Sequence, residues 1–258
     1  MLHGVTPGQM QKVEMNSSEI GSHWFEAMAD HMGAAYLRYT FTMGTVQEID
    51  HIVEALKLQP GMTVLDVGCG PGRHAYELAR RGIECHGIDI SQTFIDVARE
   101  SAPPGASFER MDARALTFNA EFDAVICLCQ GAFGLMTANG HDREVLSGIA
   151  RSLKPSGAVA LSAFNAYFAV KYHENATFDA ESGVAHETTD IRNQLGEVKA
   201  VDLWTGCYTP RELRLMLENV GLTVSSISSV EPGGYGYEPP SLESPEYLLI
   251  AFATPIHR

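Results

Sequence analysis

Hydrophobic and polar positions follow three rhythms along the chain. From Ser18 to about Leu58 the rhythm is helical. Trp24, Phe25, Met28, Met32, Ala35 and Tyr36 recur three or four apart, as one face of a helix requires. Val46, Ile49, Ile52, Val53 and Leu56 repeat the pattern, and Gly44-Thr45 supplies a start signal. From Thr63 the rhythm changes to short apolar runs alternating with amphipathic stretches. The runs TVLDVG, IECHGID, ASFERMDA, FDAVICLC and GAVALSAFN predict five strands. RHAYELARRG, QTFIDVARES and DREVLSGIARSLKP predict helices, the second capped by Ser91 and the third ending before Pro155. Strands alternating with helices of about ten residues form βαβ units and a parallel sheet.

A third rhythm covers residues 171–207. Alternating residues and turn signals at Ser182-Gly183 and Leu195-Gly196 predict antiparallel strands inserted as a flap. TPRELRLMLENVG then predicts a helix with Thr209 as cap, Pro210 at its first position and Gly221 at its end. LTVSSISSV and EYLLIAFA close the chain as two further strands, giving seven outside the flap. Residues 1–17 are polar and unpatterned, an expected flexible start. The expected organisation is a helical cap over 18–58 and an α/β core over 59–258 that carries the flap.

Composition narrows the function. The chain has 258 residues, 45% of them apolar, enough for one large domain with a sizeable core. Its net charge of -14 repels nucleic acid phosphates and anionic membranes, so neither is an expected partner. No apolar stretch approaches the ~20 residues that span a bilayer, and no signal pattern opens the chain. Cysteines at 69, 85, 127, 129 and 207 are odd in number and form no CxxC. Cys127 and Cys129, two apart in a predicted strand, would share one face. Small buried hydrophobes in a reducing cytoplasm are the expectation for these thiols, with zinc ligation the alternative.

The chemistry concentrates in VLDVGCGPGRHAYELARRGIECHGIDIS, residues 64–91, with glycines at 68, 70 and 72. A strand that ends in glycines and runs into a helix brings bare backbone close to a ligand. A phosphate loop needs a Lys-Ser/Thr pair after its last glycine, and here Arg73-His74 follow. A dinucleotide fingerprint wants glycine at 73, where Arg73 stands, although Asp89 lies where a ribose-binding carboxylate belongs. Asp66, two residues before the first glycine, disfavours a pyrophosphate and favours a cation. Its alternative reading is a carboxylate bonded to loop amides.

Taken in order, VLDVGCGPGRHAYELARRG, HGIDIS, MDARAL and FDAVICL resemble the class I S-adenosylmethionine-dependent methyltransferases of small-molecule type. The likeness spans residues 62 to about 165. It implies a Rossmann-like, mostly parallel seven-stranded sheet whose last strand is antiparallel, and S-adenosylmethionine as cofactor with S-adenosylhomocysteine as product. By that resemblance Asp66 lies near the ammonium group, and the backbone of Gly68, Cys69 and Gly70 receives the tail and ribose. Asp89 accepts from the ribose hydroxyls, Asp112 with Ala113 meets the adenine amino group, and Ile90 and Met111 sandwich the ring. Cys129 and Gln130, in CQGAFG, stand where methionine end and substrate pocket meet. Asp89 read alone is a turn or cap residue, and Asp112 a loop cap. No acidic cluster suggests a metal.

Methyl transfer from a sulfonium is an in-line displacement in which orientation supplies much of the rate, about 7–11 kcal/mol. No catalytic dyad is evident, and no base is assigned. Substrate contacts are expected from the cap, through Trp24, His31, Tyr36, Tyr39 and Phe41. Asn165, Tyr167, His173 and Tyr208 are the candidates beyond the fifth strand, and His186 beside Glu187 is a possible base in the flap. Thr45 and Glu48 would either close over the cofactor or serve as cap and solvated helix residue. Two other functions compete. One is a protein that binds S-adenosylmethionine for another purpose. The other is an NAD(P)-dependent oxidoreductase, for which Tyr167 and Lys171 have the required spacing but no clear helix. The acceptor atom stays open, as does the choice between monomer and homodimer.

Overall fold

Strands with both faces apolar have to be covered on both sides. In β1 (Thr63–Val67), Leu65 and Val67 face one core while Val64 faces another. β4 (Phe122–Cys127) and β5 (Leu153–Asn165) divide in the same way, with Val125, Val159 and Leu161 on one side and Ala124, Ile126 and Ala160 on the other. The computed structural model describes residues 23–129, 131–136, 140–172 and 176–254. β2 (Glu84–Asp89) and β3 (Ala106–Arg110) complete a parallel sheet in the order β3-β2-β1-β4-β5. Its helices are α3 (Arg73–Arg80), α4 (Gln92–Glu100) and α5 (Asp142–Ser152).

After α7 (Pro210–Asn219), β9 (Leu222–Val230) and β10 (Glu246–Ala253) extend the sheet. β10 lies between β5 and β9 and runs antiparallel to both. The seven expected strands and the antiparallel last one are therefore present, and the fold is α/β and Rossmann-like. Strand order reverses at β1, whose neighbours are β2 and β4, so a ligand crevice is expected beyond the carboxyl ends of β1 and β4.

The flap forms as expected, from β6 (Ala176–Asp179), β7 (Val184–Arg192) and β8 (Val198–Tyr208). It is joined to the main sheet where Phe164 and Asn165 pair with Cys207 and Tyr208. The cap consists of α1 (Trp24–Met32), 3-10 turns over Gly33–Arg38 and Thr40–Thr42, and α2 (Thr45–Leu56). Ala29 and Met32 pack with Phe94 of α4 and Ile191 of the flap.

Four expectations need correction. The first cap helix stops at Met32 because Gly33 turns with φ +47°, so Ala35 and Tyr36 sit in a 3-10 segment. β5 begins at Leu153, directly after α5, and Ser156 at φ +63° lets residues 154–157 bulge before regular pairing starts at Ala158. Residues Ala166–Tyr172 form a helix, α6, so Tyr167 and Lys171 do share a helix. Cys127 ends β4, whereas Cys129 lies beyond it with φ +51°. The turn breaks the alternation and sends the two thiols to opposite sides of the sheet. Among the described residues, no helix is long and apolar enough to cross a membrane.

Candidate active site

Two glycines from different loops meet at the switch point. Gly68 follows β1 with φ +73°, and a Cβ there would lie 2.1 Å from the Gly131 carbonyl carbon. A Cβ on Gly131 would lie 2.4 Å from the Gly68 oxygen. Neither position admits a side chain, so two bare loop backbones pass each other at the crevice floor. The helix contact expected of a glycine at 73 is made by Gly72, whose Cβ would strike Phe108 at 2.8 Å. Arg73 reaches instead to Thr45 and Glu48 of the cap and to the Cys129 sulfur beyond β4.

The loop's amides are already in use. Those of Gly68 and Cys69 donate to the Ile88 carbonyl at 2.8 and 2.9 Å, and that of Gly70 donates to Asp89 Oδ2 at 2.9 Å. Cys69 turns its thiol into the core beside Gly87. A ligand therefore meets the loop's carbonyls and the neighbouring carboxylates, a surface suited to positive charge. Asp89 also accepts from the Ser91 amide at 2.8 Å, which accounts for the cap role it had when read alone, while still facing the crevice. Burial pushes its carboxyl up to about 6. Asp66 is 1% exposed and its Oδ2 has no hydrogen-bond partner among the described residues. Burial first, and then the neighbouring Asp89, push it up to about 7 against the pull of Arg73. The loop-amide reading of Asp66 finds no bond to support it. Two buried carboxylates side by side, Asp89 held by two amides and Asp66 not, fit a cationic ligand.

Two connected spaces open from this seam, sharing Gly68, Asp89 and Gly131. The first, a slot of about 40 Å³, is lined by Ile90, Met111, Asp112 and Ala113, four residues expected around adenine. His23, Arg114 and His141 line it too and were not anticipated. The Asp112 carboxylate is gripped by Arg114, with Nε at 2.8 and 2.9 Å and Nη2 at 2.5 Å, and it caps the turn at Ala113–Ala115. The second space, about 340 Å³, contains Gly70, Cys129, Trp24 and Tyr36 from the expected set. Phe25, Phe94, Phe164, Leu203 and Glu246 also line it and were missed, since no local motif joins residues so far apart in sequence.

Other candidates stand elsewhere. His31 bonds the Glu197 carbonyl at 3.1 Å on the surface, and the Tyr39 hydroxyl accepts from the Arg192 amide at 2.9 Å. Asn165 spends its amide on the carbonyls of Ser241 and Ser244, fixing the loop before β10. Tyr208 is buried, stacked on Phe133 and donating to Asp142 at 3.0 Å. Tyr167 is half exposed, and Lys171 pairs with Glu243, so this pair lies outside both spaces. His186 pairs with Asp202 on the flap surface. Gln130 and His173 lie outside the described residues, as does the Phe41 side chain.

The cap is fastened over the crevice by polar contacts. The His23 ring and Trp24 indole reach the Leu135 and Met136 carbonyls, at 3.2 and 2.8 Å. Leu135 bridges to Thr205 of the flap. Glu48, the residue read as cofactor contact or solvated, is instead completely buried. Arg73 donates to its Oε2 at 2.5 Å, its Oε1 accepts from the Gly233 amide at 2.9 Å, and His74 Nε2 lies 2.8 Å from Oε2. Burial pushes Glu48 up, but His74 and Arg73 outweigh it and hold the carboxyl at about 2. Glu48, His74 and Cys129 bring three donor atoms within 4.8 Å of one another. Arg73 already bonds both Glu48 and the Cys129 sulfur, the latter at 2.8 Å, so the cation serving this trio is the guanidinium.

Residues 64–157 match the sequence family described as a methyltransferase domain. Cypemycin N-terminal methyltransferase of a Streptomyces species is 29% identical over 214 residues, 74% of this chain and 82% of that protein. The likeness of this chain is to the S-adenosylmethionine-dependent methyltransferases. Its cofactor is S-adenosylmethionine, and the buried carboxylates and bare glycine seam suit that cation. The methyltransferase fold is shared with CcbJ from Streptomyces caelestis, at TM-score 0.68 and 17% identity over 81% of this chain and 89% of that one. CalS10, an amino pentose methyltransferase from Micromonospora echinaspora, aligns at TM-score 0.60 and 20% identity over 86% and 95%. The chain spans about half the length of several other curated relatives, 46–50% of each.

Proposed function

We propose that the chain transfers a methyl group from S-adenosylmethionine to a small organic molecule held in the cap cavity. S-adenosylmethionine supplies an electrophilic methyl group when bound. Asp89 would hold the ribose and Asp66 would balance the ammonium group. Ile90 and Met111 would flank the adenine, with Asp112 and Ala113 at its edge. Gly68, Cys69 and Gly70 would shape the path between, and Cys129 and Gln130 would border the methyl end. Trp24 and Tyr36 would exclude water and orient the acceptor, which is where the rate comes from in such a displacement.

One observation carries this reading. The 340 Å³ space continues from the cofactor seam and is roofed by cap, flap and the loop at 131–136, a size and an aromatic lining that suit a small molecule. The acidic surface, with a net charge of -14, disfavours nucleic acid acceptors. Five cysteines, none in a disulfide, fit work in a reducing cytoplasm. The test incubates the enzyme with methyl-labelled S-adenosylmethionine and a bacterial extract split by size. Label is expected in the small-molecule fraction. Label confined to protein or nucleic acid would overturn the reading.

A further inference from the structure

The first turn of α1 borders both spaces at once. His23 lines the slot, Trp24 lines the larger cavity, and Phe25 lines the two together. His23 Nδ1 accepts from the Phe25 amide at 3.2 Å and caps the helix, so the ring proton sits on Nε2 and is donated to the Leu135 carbonyl at 3.2 Å. The Trp24 indole donates to the Met136 carbonyl at 2.8 Å. Glu26 completes the cap by accepting from the His23 amide at 3.0 Å, and its other oxygen accepts from Arg110 at 2.7 Å. Arg110 also donates, at 2.9 Å, to the carbonyl of Ile90, which lines the slot. The turn is thus tied to the slot wall on one side and to the loop at 131–136 on the other.

The second half of the cap is fastened differently. Gln47 exchanges two hydrogen bonds with the Tyr235 backbone, at 2.6 and 2.9 Å, and Glu48 accepts from the Gly233 amide. A Cβ on Gly44 would lie 2.0 Å from the Gly233 Cα, so the two backbones touch. α2 is therefore fixed to the loop between β9 and β10. α1 is separated from it by two 3-10 turns and by Gly33 at φ +47°, and is the half of the cap that can shift while the core stays intact.

We propose that the first turn of α1 is a latch set by the cofactor: the adenosine part, seated in the slot, packs against His23 and Phe25, and this fixes Trp24 in the acceptor wall. This rests on the placement of adenine in the slot given above. The cofactor gains the His23 and Phe25 contacts only when the turn is closed, and that difference in contacts shifts the turn toward the closed state. The acceptor cavity is then complete only once the cofactor is bound, so the cofactor binds first and the acceptor second. Linkage makes the effect reciprocal: an acceptor packed on Trp24 holds the cofactor more tightly. His23 is a binding residue for the cofactor, and Trp24 is a positioning residue for the acceptor wall.

The chain has two tryptophans, Trp24 and Trp204, and their rings meet edge to face at 5.8 Å where cap and flap join. Tryptophan emission therefore reads this joint directly. S-adenosylhomocysteine at saturation should cut acrylamide quenching about twofold as the turn closes. Adenosine alone, which fills the slot, should do the same. In Trp204→Phe, where Trp24 alone emits, the protection should persist. His23→Asn keeps a good helix cap but is too short to reach Leu135. It should unfold at the parent's temperature, bind S-adenosylhomocysteine about tenfold more weakly and lose the protection. Quenching unchanged by bound S-adenosylhomocysteine would overturn the proposal, as would protection by S-adenosylhomocysteine but not by adenosine, or protection that survives in H23N. The measurements on the unmodified enzyme decide the matter even if a variant does not fold. Calorimetric binding of S-adenosylhomocysteine without protection removes the latch and leaves the cofactor reading intact, whereas absence of binding removes both.

Discussion

Asp66→Asn is expected to move stability and cofactor affinity in opposite directions. In the protein alone the Asp66 carboxyl is buried, its Oδ2 lacks a partner among the described residues, and it is raised from 3.8 to about 7. At ~1.4 kcal/mol per pH unit, ionising it in the folded protein costs about 4 kcal/mol. A group whose folded pKa lies above its unfolded value contributes stability below pH ~4, and that contribution is lost as pH rises through ~7. Asparagine cannot ionise, so the variant should be more stable than the parent at about pH 8, by about 1–3 kcal/mol once the amide's own unmet bonds are discounted. Cofactor affinity should fall about 10- to 100-fold, the worth of one charge-assisted contact. Near pH 5 the parent carboxyl is already neutral and both differences should shrink. Thermal unfolding and calorimetric titration with S-adenosylmethionine, each at the two pH values, check this. A variant that is less stable at the higher pH, or that binds the cofactor as tightly as the parent, would refute the reasoning.

Three further outcomes are expected. Gly131→Ala, whose methyl would fall 2.4 Å from the Gly68 oxygen, should cost most cofactor binding while far-UV dichroism stays that of the parent, read by titration and spectroscopy on one sample. Glu48→Ala leaves Arg73 buried without its carboxylate and should lower stability by about 3–5 kcal/mol in denaturant unfolding. S-adenosylmethionine affinity of the parent should rise between about pH 5 and pH 8, because the cation needs Asp89 and Asp66 ionised and their carboxyls sit near 6 and 7; a flat profile would count against both assignments.

Much of the framework was legible because it depends on local periodicity. β9 and β10 begin and end where the alternation does, and Thr209, Pro210 and Glu212 build the expected start of α7 with a reciprocal cap. The crevice was legible too, since Asp89, Gly68 and Gly70 sit within one βαβ unit. Contacts made across the fold were not. Nothing near Glu48 in sequence announces that α3 will bring Arg73 and His74 to it, or that the loop at Gly233 will close the far side. Glu246 looks like an ordinary polar start to an apolar strand, and only the pairing of β10 with β5 carries it to the cavity. Tyr208, Asn165 and Tyr39 line neither space and share one trait: their polar atoms bond neighbouring elements. The Cys127 and Cys129 reading failed because one left-handed residue resets the alternation of a strand.

The most direct test of the account is a crystal structure of the enzyme with S-adenosylhomocysteine. The account predicts the ribose hydroxyls on Asp89, the adenine in the slot between Ile90 and Met111, and the sulfur directed past Cys129 into the cavity that holds Tyr36 and Glu246. A ribose bonded elsewhere, or a sulfur facing away from that cavity, would contradict it.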